Sequence, residues 1–244
     1  MSILLKCEQL GFGYGNKAFA RDFSFDLNAN EVVALMGENG CGKSTLLKTL
    51  VGQIPPVKGT VSLLPNDSAG ALVCLKSIST RELARRMALV RMSGFVPDRM
   101  TVREFVGLGR SPYAGLFDGR SKEDETAIDD AMDLLELDGF EDRMVASLSD
   151  GERSRVYLAE AVAQQVKILL LDEPNAFLDI PRSHKLFNLL KKLAAEKDMG
   201  IIVSTHSVEY AERYCDRIMV IGDGNVGVAK ACDARPNGLL DWTE

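Results

Sequence analysis

EVVALMGENGCGKSTLLKTLV, residues 31 to 51, is an apolar run, then glycines, a lysine and hydroxyl residues, then leucines at helical spacing. EVVALM reads as a buried strand and KSTLLKTLV as a helix. Between them GENGCGKST fits G-x-x-x-x-G-K-[ST], a pattern with a mechanism when strand and helix flank it. The glycines let the backbone wrap a phosphate, with amides and the helix dipole directed at the anion. Lys43 would reach the β and γ phosphates of a nucleotide, and Ser44 would ligate Mg²⁺. Gly37, Glu38, Asn39, Gly40, Cys41, Gly42, Lys43, Ser44 and Thr45 are therefore candidate nucleotide-binding residues. A tight glycine turn before a helix is the alternative.

Further short apolar runs, KILLL at 167 to 171 and GIIVST at 200 to 205, alternate with stretches of helical period. That is how a parallel sheet covered by helices reads. Asp179 before Pro181 suits a helix start, and Leu186, Leu189, Leu190, Leu193 and Ala194 fall on one face after it. From about Met92 to Ser147 the pattern changes. TVREFVGLG and the acidic KEDETAIDDAMDLLEL are amphipathic helices separated by RSPYAGLFDG, and they read as a helical lobe inserted between strands. RIMVI and VGVAK flank GDGN, which suits a β-hairpin. The last 14 residues carry no clear signal, and no internal repeat is present.

Where KILLL ends, Asp172, Glu173 and Pro174 follow. Carboxylates at the carboxyl end of a buried strand lie where ligands meet an open parallel sheet. Asp172 would hold Mg²⁺ through water, and Glu173 would polarise an attacking water. Asp-Glu-Pro is also an ordinary strand-to-turn boundary. Ser149 and Glu152 form S-x-x-E before an apolar-periodic segment, which as a local feature is a capping box. His206 follows GIIVST at another strand end, where a structural role competes with a catalytic one.

Composition narrows the partners. The 244 residues are 46% apolar and 26% charged with a net charge of −6, which argues against a nucleic-acid surface. No apolar run approaches the roughly 20 residues of a membrane helix. Lys6 and Glu8 interrupt MSILLKCE, so no export signal is expected and the cytoplasm is the expected compartment. The five cysteines have no C-x-x-C spacing and the two histidines, His184 and His206, cannot build a polyhistidine metal centre.

Together these pieces resemble the ATP-binding cassette family from about Leu4 to Lys230. GENGCGKST is similar to its phosphate loop, and Tyr14 in GFGYGNKAF to its adenine-stacking aromatic; an aromatic packed beside a glycine turn is the other reading. LSDGE, Leu148 to Glu152, resembles the family signature, usually LSGGQ. The resemblance implies that Ser149 and Gly151 touch the γ-phosphate held by an opposite subunit. KILLLDEP resembles the magnesium strand and catalytic glutamate, NAFLD places Asp179 in the interface loop, and STHS makes His206 the switch histidine. The implied fold is α/β: a P-loop NTPase with a RecA-like core, a mainly parallel sheet, an N-terminal antiparallel β subdomain and an inserted α-helical subdomain. The expected limits are 1–91 and 155–230 for the core and 92–154 for the lobe, with 231–244 a C-terminal tail. ATP and Mg²⁺ are the implied cofactors, and a head-to-tail homodimer is the implied active unit.

RELARRMALV followed by MTVREFVGLGRSPYAGLF resembles the ATPases of importers for ferric siderophores, haem and cobalamin. That implies two membrane permeases as partners, an extracytoplasmic binding protein indirectly, and attachment to the inner face of the membrane. Phe95, Val96, Tyr113, Leu116 and Phe117 are candidates for the permease contact or for lobe core. A soluble cassette ATPase, such as one serving iron–sulfur cluster assembly, is the alternative. Two departures stand out. Met92 falls where the family usually has a glutamine at the magnesium site, and a thioether is a poor ligand for a hard cation. Asp150 and Glu152 add negative charge beside a triphosphate, unless they merely cap the helix.

Overall fold

The computed structural model describes residues 2–14, 17–64, 71–92, 96–115, 119–176 and 178–241. Strands β1 (Ile3–Tyr14) and β2 (Lys17–Asn28) pair antiparallel. The chain then leaves this sheet for β3 (Glu31–Met36) and returns in β4 (Lys58–Leu63) and β5 (Val73–Cys74), giving the order β2-β1-β4-β5. The second sheet adds β6 (Met87–Arg91), β7 (Ile168–Asp172), β8 (Gly200–Ser204), β9 (Arg217–Gly222) and β10 (Asn225–Lys230). Its order is β10-β9-β3-β8-β7-β6, parallel throughout except for the β9–β10 pair. At that hairpin Asp223 and Gly224 both take positive φ, as a two-residue turn with the twist of the strands requires.

Strand periodicity divides the core. Val33, Leu35, Ile168, Leu170 and Ile202 face the antiparallel sheet and α1 (Lys43–Leu50). Val32, Ala34, Leu169, Leu171, Ile201 and Val203 point the opposite way, into a cluster shared with the helices. Both faces being covered explains why these strands read as continuous apolar runs rather than alternating ones. Truncating a fully buried member such as Leu170 to alanine costs about 2–5 kcal/mol.

After the short α2 (Thr80–Ala84) and β6, the chain forms α3 (Val102–Val106), α4 (Lys122–Leu134) and α5 (Asp150–Ala163) before rejoining the sheet at β7. This is the inserted, mostly helical subdomain. Thr101, Ser121 and Ser149 each close a capping box, so local sequence sets where all these helices begin. Arg110 joins the pieces. Its guanidinium donates to Asp124 Oδ1 at 2.8 Å and to the Ala163 carbonyl at 2.7 Å, and it lies 3.9 Å over the Tyr113 ring. Hydrogen bonding from Arg110 and then from Ser121 lowers the Asp124 pKa.

The long α6 (Ile180–Lys197), α7 (Val208–Tyr214) and α8 (Ala231–Ala234) complete the helical cover. The end of the chain has more structure than its sequence announces: Ala231, Ala234 and Leu240 are buried in the main cluster. Among the described residues, no helix is long and apolar enough to cross a membrane.

Candidate nucleotide-binding and active site

In the sheet, β8 lies between β3 and β7, and all three run parallel. Their carboxyl ends therefore fall on one edge, the edge where open α/β sheets bind ligands. The glycine loop leaves β3, Asp172 and Glu173 end β7, and His206 follows β8. Segments far apart in sequence become neighbours because of this strand order.

The loop itself is tightly wrapped. Gly37 has φ 139°, and a Cβ there would come within 2.5 Å of the Ile221 carbonyl oxygen; Gly42 has φ 107°, and a Cβ would meet the Phe19 ring at 2.6 Å. Only glycine fits either place. Lys43, 6% exposed, donates from Nζ to the carbonyls of Gly37 at 2.9 Å and Glu38 at 3.2 Å. Its charge is thereby held over the loop. Helix α1 starts with no side-chain cap and no acidic residue in its first turn. A helix start left in that way suits an anion, so the residues fit a nucleotide phosphate. Ser44 is exposed at the same helix start, and Asp172 is half-buried. Both are hard oxygen donors of the kind Mg²⁺ takes.

Glu173 has φ 51°, uncommon for a residue with a side chain and a sign of local constraint. Ser204, at the end of β8, explains how it is held. The Glu173 N–H donates to Ser204 Oγ at 2.8 Å, and the Ser204 hydroxyl donates to Asp172 Oδ1 at 3.0 Å. The Glu173 carboxylate then meets His206, with Nε2 at 2.9 Å from Oε1. An ionised carboxylate only accepts, so Nε2 carries the proton in this contact. Thr205 donates from Oγ1 to Asn175 Oδ1 at 3.3 Å, and its own N–H donates to the Leu35 carbonyl at 3.1 Å, which ties this strand end to β3.

The other predicted residues occupy separate places. Tyr14 stands 72% exposed at the end of β1. Asp179 caps α6, accepting from the Arg182 N–H at 2.8 Å. Ser149 caps α5, and among the described residues no hydrogen bond or ion pair joins it or Gly151 to Lys43, Asp172, Glu173 or His206. The Ser149 N–H and hydroxyl each lie 2.8 Å from Glu152 Oε2, and Arg143 lies 3.1 Å from Oε1. These bonds hold the Glu152 carboxyl down at about 2. Glu152 is thus absorbed by the helix cap, while Asp150 stays largely exposed, 3.4 Å from Arg153. Gly151 is covered by Arg182, whose Nη1 would lie 2.8 Å from an added Cβ.

Met92 follows β6, whose Arg91 is level with Asp172, and packs half-buried against the main core. Val96 packs on the same core, and Tyr113 is held between Arg85 and Arg110, its hydroxyl donating to the Gln164 carbonyl at 3.1 Å. Phe95, Leu116 and Phe117 lie outside the described residues. Sequence reasoning missed Ser204, Arg143 and Arg182. Ser204 carried a faint signal, as a polar residue ending an otherwise apolar strand; the arginines carried none.

Comparison with known proteins agrees with this geometry. The ABC transporter family model matches residues 20–176. The ferric enterobactin transport ATP-binding protein FepC of Escherichia coli (strain K12) is 35% identical over 222 residues, covering 91% of this chain and 79% of FepC. A solved structure of a metal-chelate type ABC transporter in an inward-facing conformation superposes with a TM-score of 0.84 at 26% identity, over 99% of this chain and 90% of that one. A dimeric bacterial ABC transporter cassette gives 0.77 at 26% identity, over 93% and 99%. With its glycine loop, carboxylate pair and histidine gathered on one sheet edge, the chain belongs to the ABC transporter family as an ATP-binding, ATP-hydrolysing subunit.

Proposed function

We propose that this chain powers an importer of metal chelates of the iron-siderophore, haem or cobalamin type. It would work as a head-to-tail homodimer docked on two transmembrane permease subunits, on the cytoplasmic face, with an extracytoplasmic binding protein delivering the chelate. The observation that carries the ATPase part is the 2.9 Å contact of Glu173 with His206 on the edge that also bears the glycine loop. The transport part is supported by the names of the relatives, among them ferric enterobactin, hemin and cobalamin ATP-binding proteins. The homodimer is supported by the dimeric cassette that the chain resembles.

In this reading the loop from Gly37 to Thr45 cradles the phosphates, Lys43 exchanges its loop carbonyls for phosphate oxygens, and Tyr14 offers its exposed ring to the base. Ser44 and Asp172 would hold Mg²⁺, which when bound supplies charge neutralisation on the phosphates. Glu173 orients and accepts a proton from water, and His206 fixes the carboxylate that does so. Ser149 and Gly151 serve the partner's nucleotide, and Asp179 lies in the loop between the sites. The subdomain limits are about 1–91 and 155–230 for the core and 92–154 for the lobe, α5 running across the second boundary.

Purified protein should hydrolyse ATP only with Mg²⁺. Lys43→Ala should weaken ATP binding, whereas Glu173→Gln should retain ATP and accumulate a dimer on gel filtration. A Glu173→Gln protein that stays monomeric and turns over normally would overturn the assignment. Co-purification in detergent with a multi-span permease is the expected result for the transport half. Recovery of a soluble partner in its place would point to a non-transport ATPase.

A further inference from the structure

Ser204 is 0% exposed and ends a strand whose other members include the fully buried Ile201, Ile202 and Val203. A hydroxyl in such a place is costly unless it is bonded, and this one is bonded on both sides. It accepts the Glu173 N–H at 2.8 Å and donates to Asp172 Oδ1 at 3.0 Å. A serine hydroxyl has a single proton, so its direction is fixed: the donor end faces the carboxylate and a lone pair faces the amide.

Each bond has a consequence. The first ties down the backbone of Glu173, whose φ of 51° is one that a residue with a side chain adopts under constraint. From that backbone the Glu173 side chain reaches His206 Nε2 at 2.9 Å. The second engages Oδ1 of Asp172, leaving Oδ2 without a hydrogen-bond partner among the described residues. Ser204 thus sets two carboxylates at once, although it is itself fully buried.

We propose that Ser204 is a positioning residue of the ATPase site, fixing the left-handed backbone of Glu173 and the orientation of Asp172 through one hydroxyl. The inference rests on the ATPase reading above. The groups around it explain why a hydroxyl serves: the site is fully buried, and an apolar side chain could neither receive the Glu173 amide nor donate to Asp172. Partners that orient metal-holding carboxylates behave in this way in general, and their removal costs about 10–100-fold in metal affinity or activity.

The test is Ser204→Ala, with Ser204→Cys as a near-isosteric variant carrying a weaker donor. Turnover, the KM for ATP, Mn²⁺ binding to the ADP-loaded protein by electron paramagnetic resonance and melting temperature are read on each. The expected result for alanine is a fall in turnover and in Mn²⁺ affinity of about ten-fold or more, with the KM for ATP changed by less than about three-fold. Cysteine should fall between alanine and wild type. Wild-type turnover and Mn²⁺ affinity in the alanine variant, whatever its melting temperature, would overturn the inference. So would a loss confined to ATP affinity. A wild-type protein without Mg²⁺-dependent hydrolysis would instead defeat the ATPase reading, and the Mn²⁺ arm would still decide whether Ser204 orients Asp172.

Discussion

His206 Nε2 lies 2.9 Å from Glu173 Oε1, although the two residues follow different strands, β8 and β7. Both side chains are a little under half exposed, so the pair is open to solvent. The carboxylate is oriented by the imidazole and remains within reach of water.

Replacing His206 with alanine should therefore leave ATP binding within a few-fold and lower turnover by about 100-fold or more, the usual size of a positioned acid–base contribution. Steady-state hydrolysis together with equilibrium binding of a fluorescent ATP analogue checks both halves. Equal losses in binding and turnover would mean that His206 contributes ground-state affinity instead.

Cys41 sits inside the glycine loop, half-buried, with its Sγ only 2.8 Å from where a Cβ on Gly37 would lie. An added maleimide has no room there beside a bound phosphate. Alkylation is expected to abolish ATP binding, and prior Mg-ATP is expected to protect, with peptide mapping distinguishing Cys41 from the exposed Cys232. Full activity in protein labelled at Cys41 would contradict this.

Met92 is held in apolar packing against the main core, beside the β7 strand end. Met92→Gln should bury part of an amide among apolar neighbours, at a cost of about 1–3 kcal/mol that a melting curve will register. ATP affinity should stay within a few-fold, since phosphate contacts rest on the glycine loop. An unchanged melting temperature combined with greater permease-stimulated turnover would instead assign Met92 to communication between the nucleotide and the partner.

Burial pushes the carboxyl of Glu160, on α5, from an ordinary 4.5 up to about 7. The folded protein holds this proton more tightly than the unfolded chain, so its contribution is intact below pH 4.5, erodes as pH rises, and is lost above about 7. Glu160→Gln should remove that slope and add stability at pH 8, on the order of 3 kcal/mol or less, seen as a higher melting temperature. Glu152 works in the opposite window: held at about 2, its contribution is present above 4.5 and lost as pH falls toward 2. Melting curves of Glu160→Gln and wild type at pH 5 and pH 8 check the sign; equal shifts at both would refute it.

Local chemistry was legible in the sequence. The glycine loop, the caps at Ser149 and Asp179, the β9–β10 turn and the apolar strands depend on near neighbours in the chain, where residue type dictates backbone conformation directly. So were the families of residues at the strand ends. Which strand lies beside which is not local: the placing of β8 between β3 and β7 depends on how the antiparallel sheet and α1 cover one face of the sheet and helices from distant segments the other. Only that packing brings Glu173 to His206, puts the Ser204 hydroxyl between Asp172 and the Glu173 amide, and lays Arg182 on Gly151. Residue types along the chain name the groups that can do the chemistry. Their distances were decided by tertiary structure, because a hydrogen bond of about 3 Å between residues some thirty positions apart exists only once the strands carrying them have been stacked side by side.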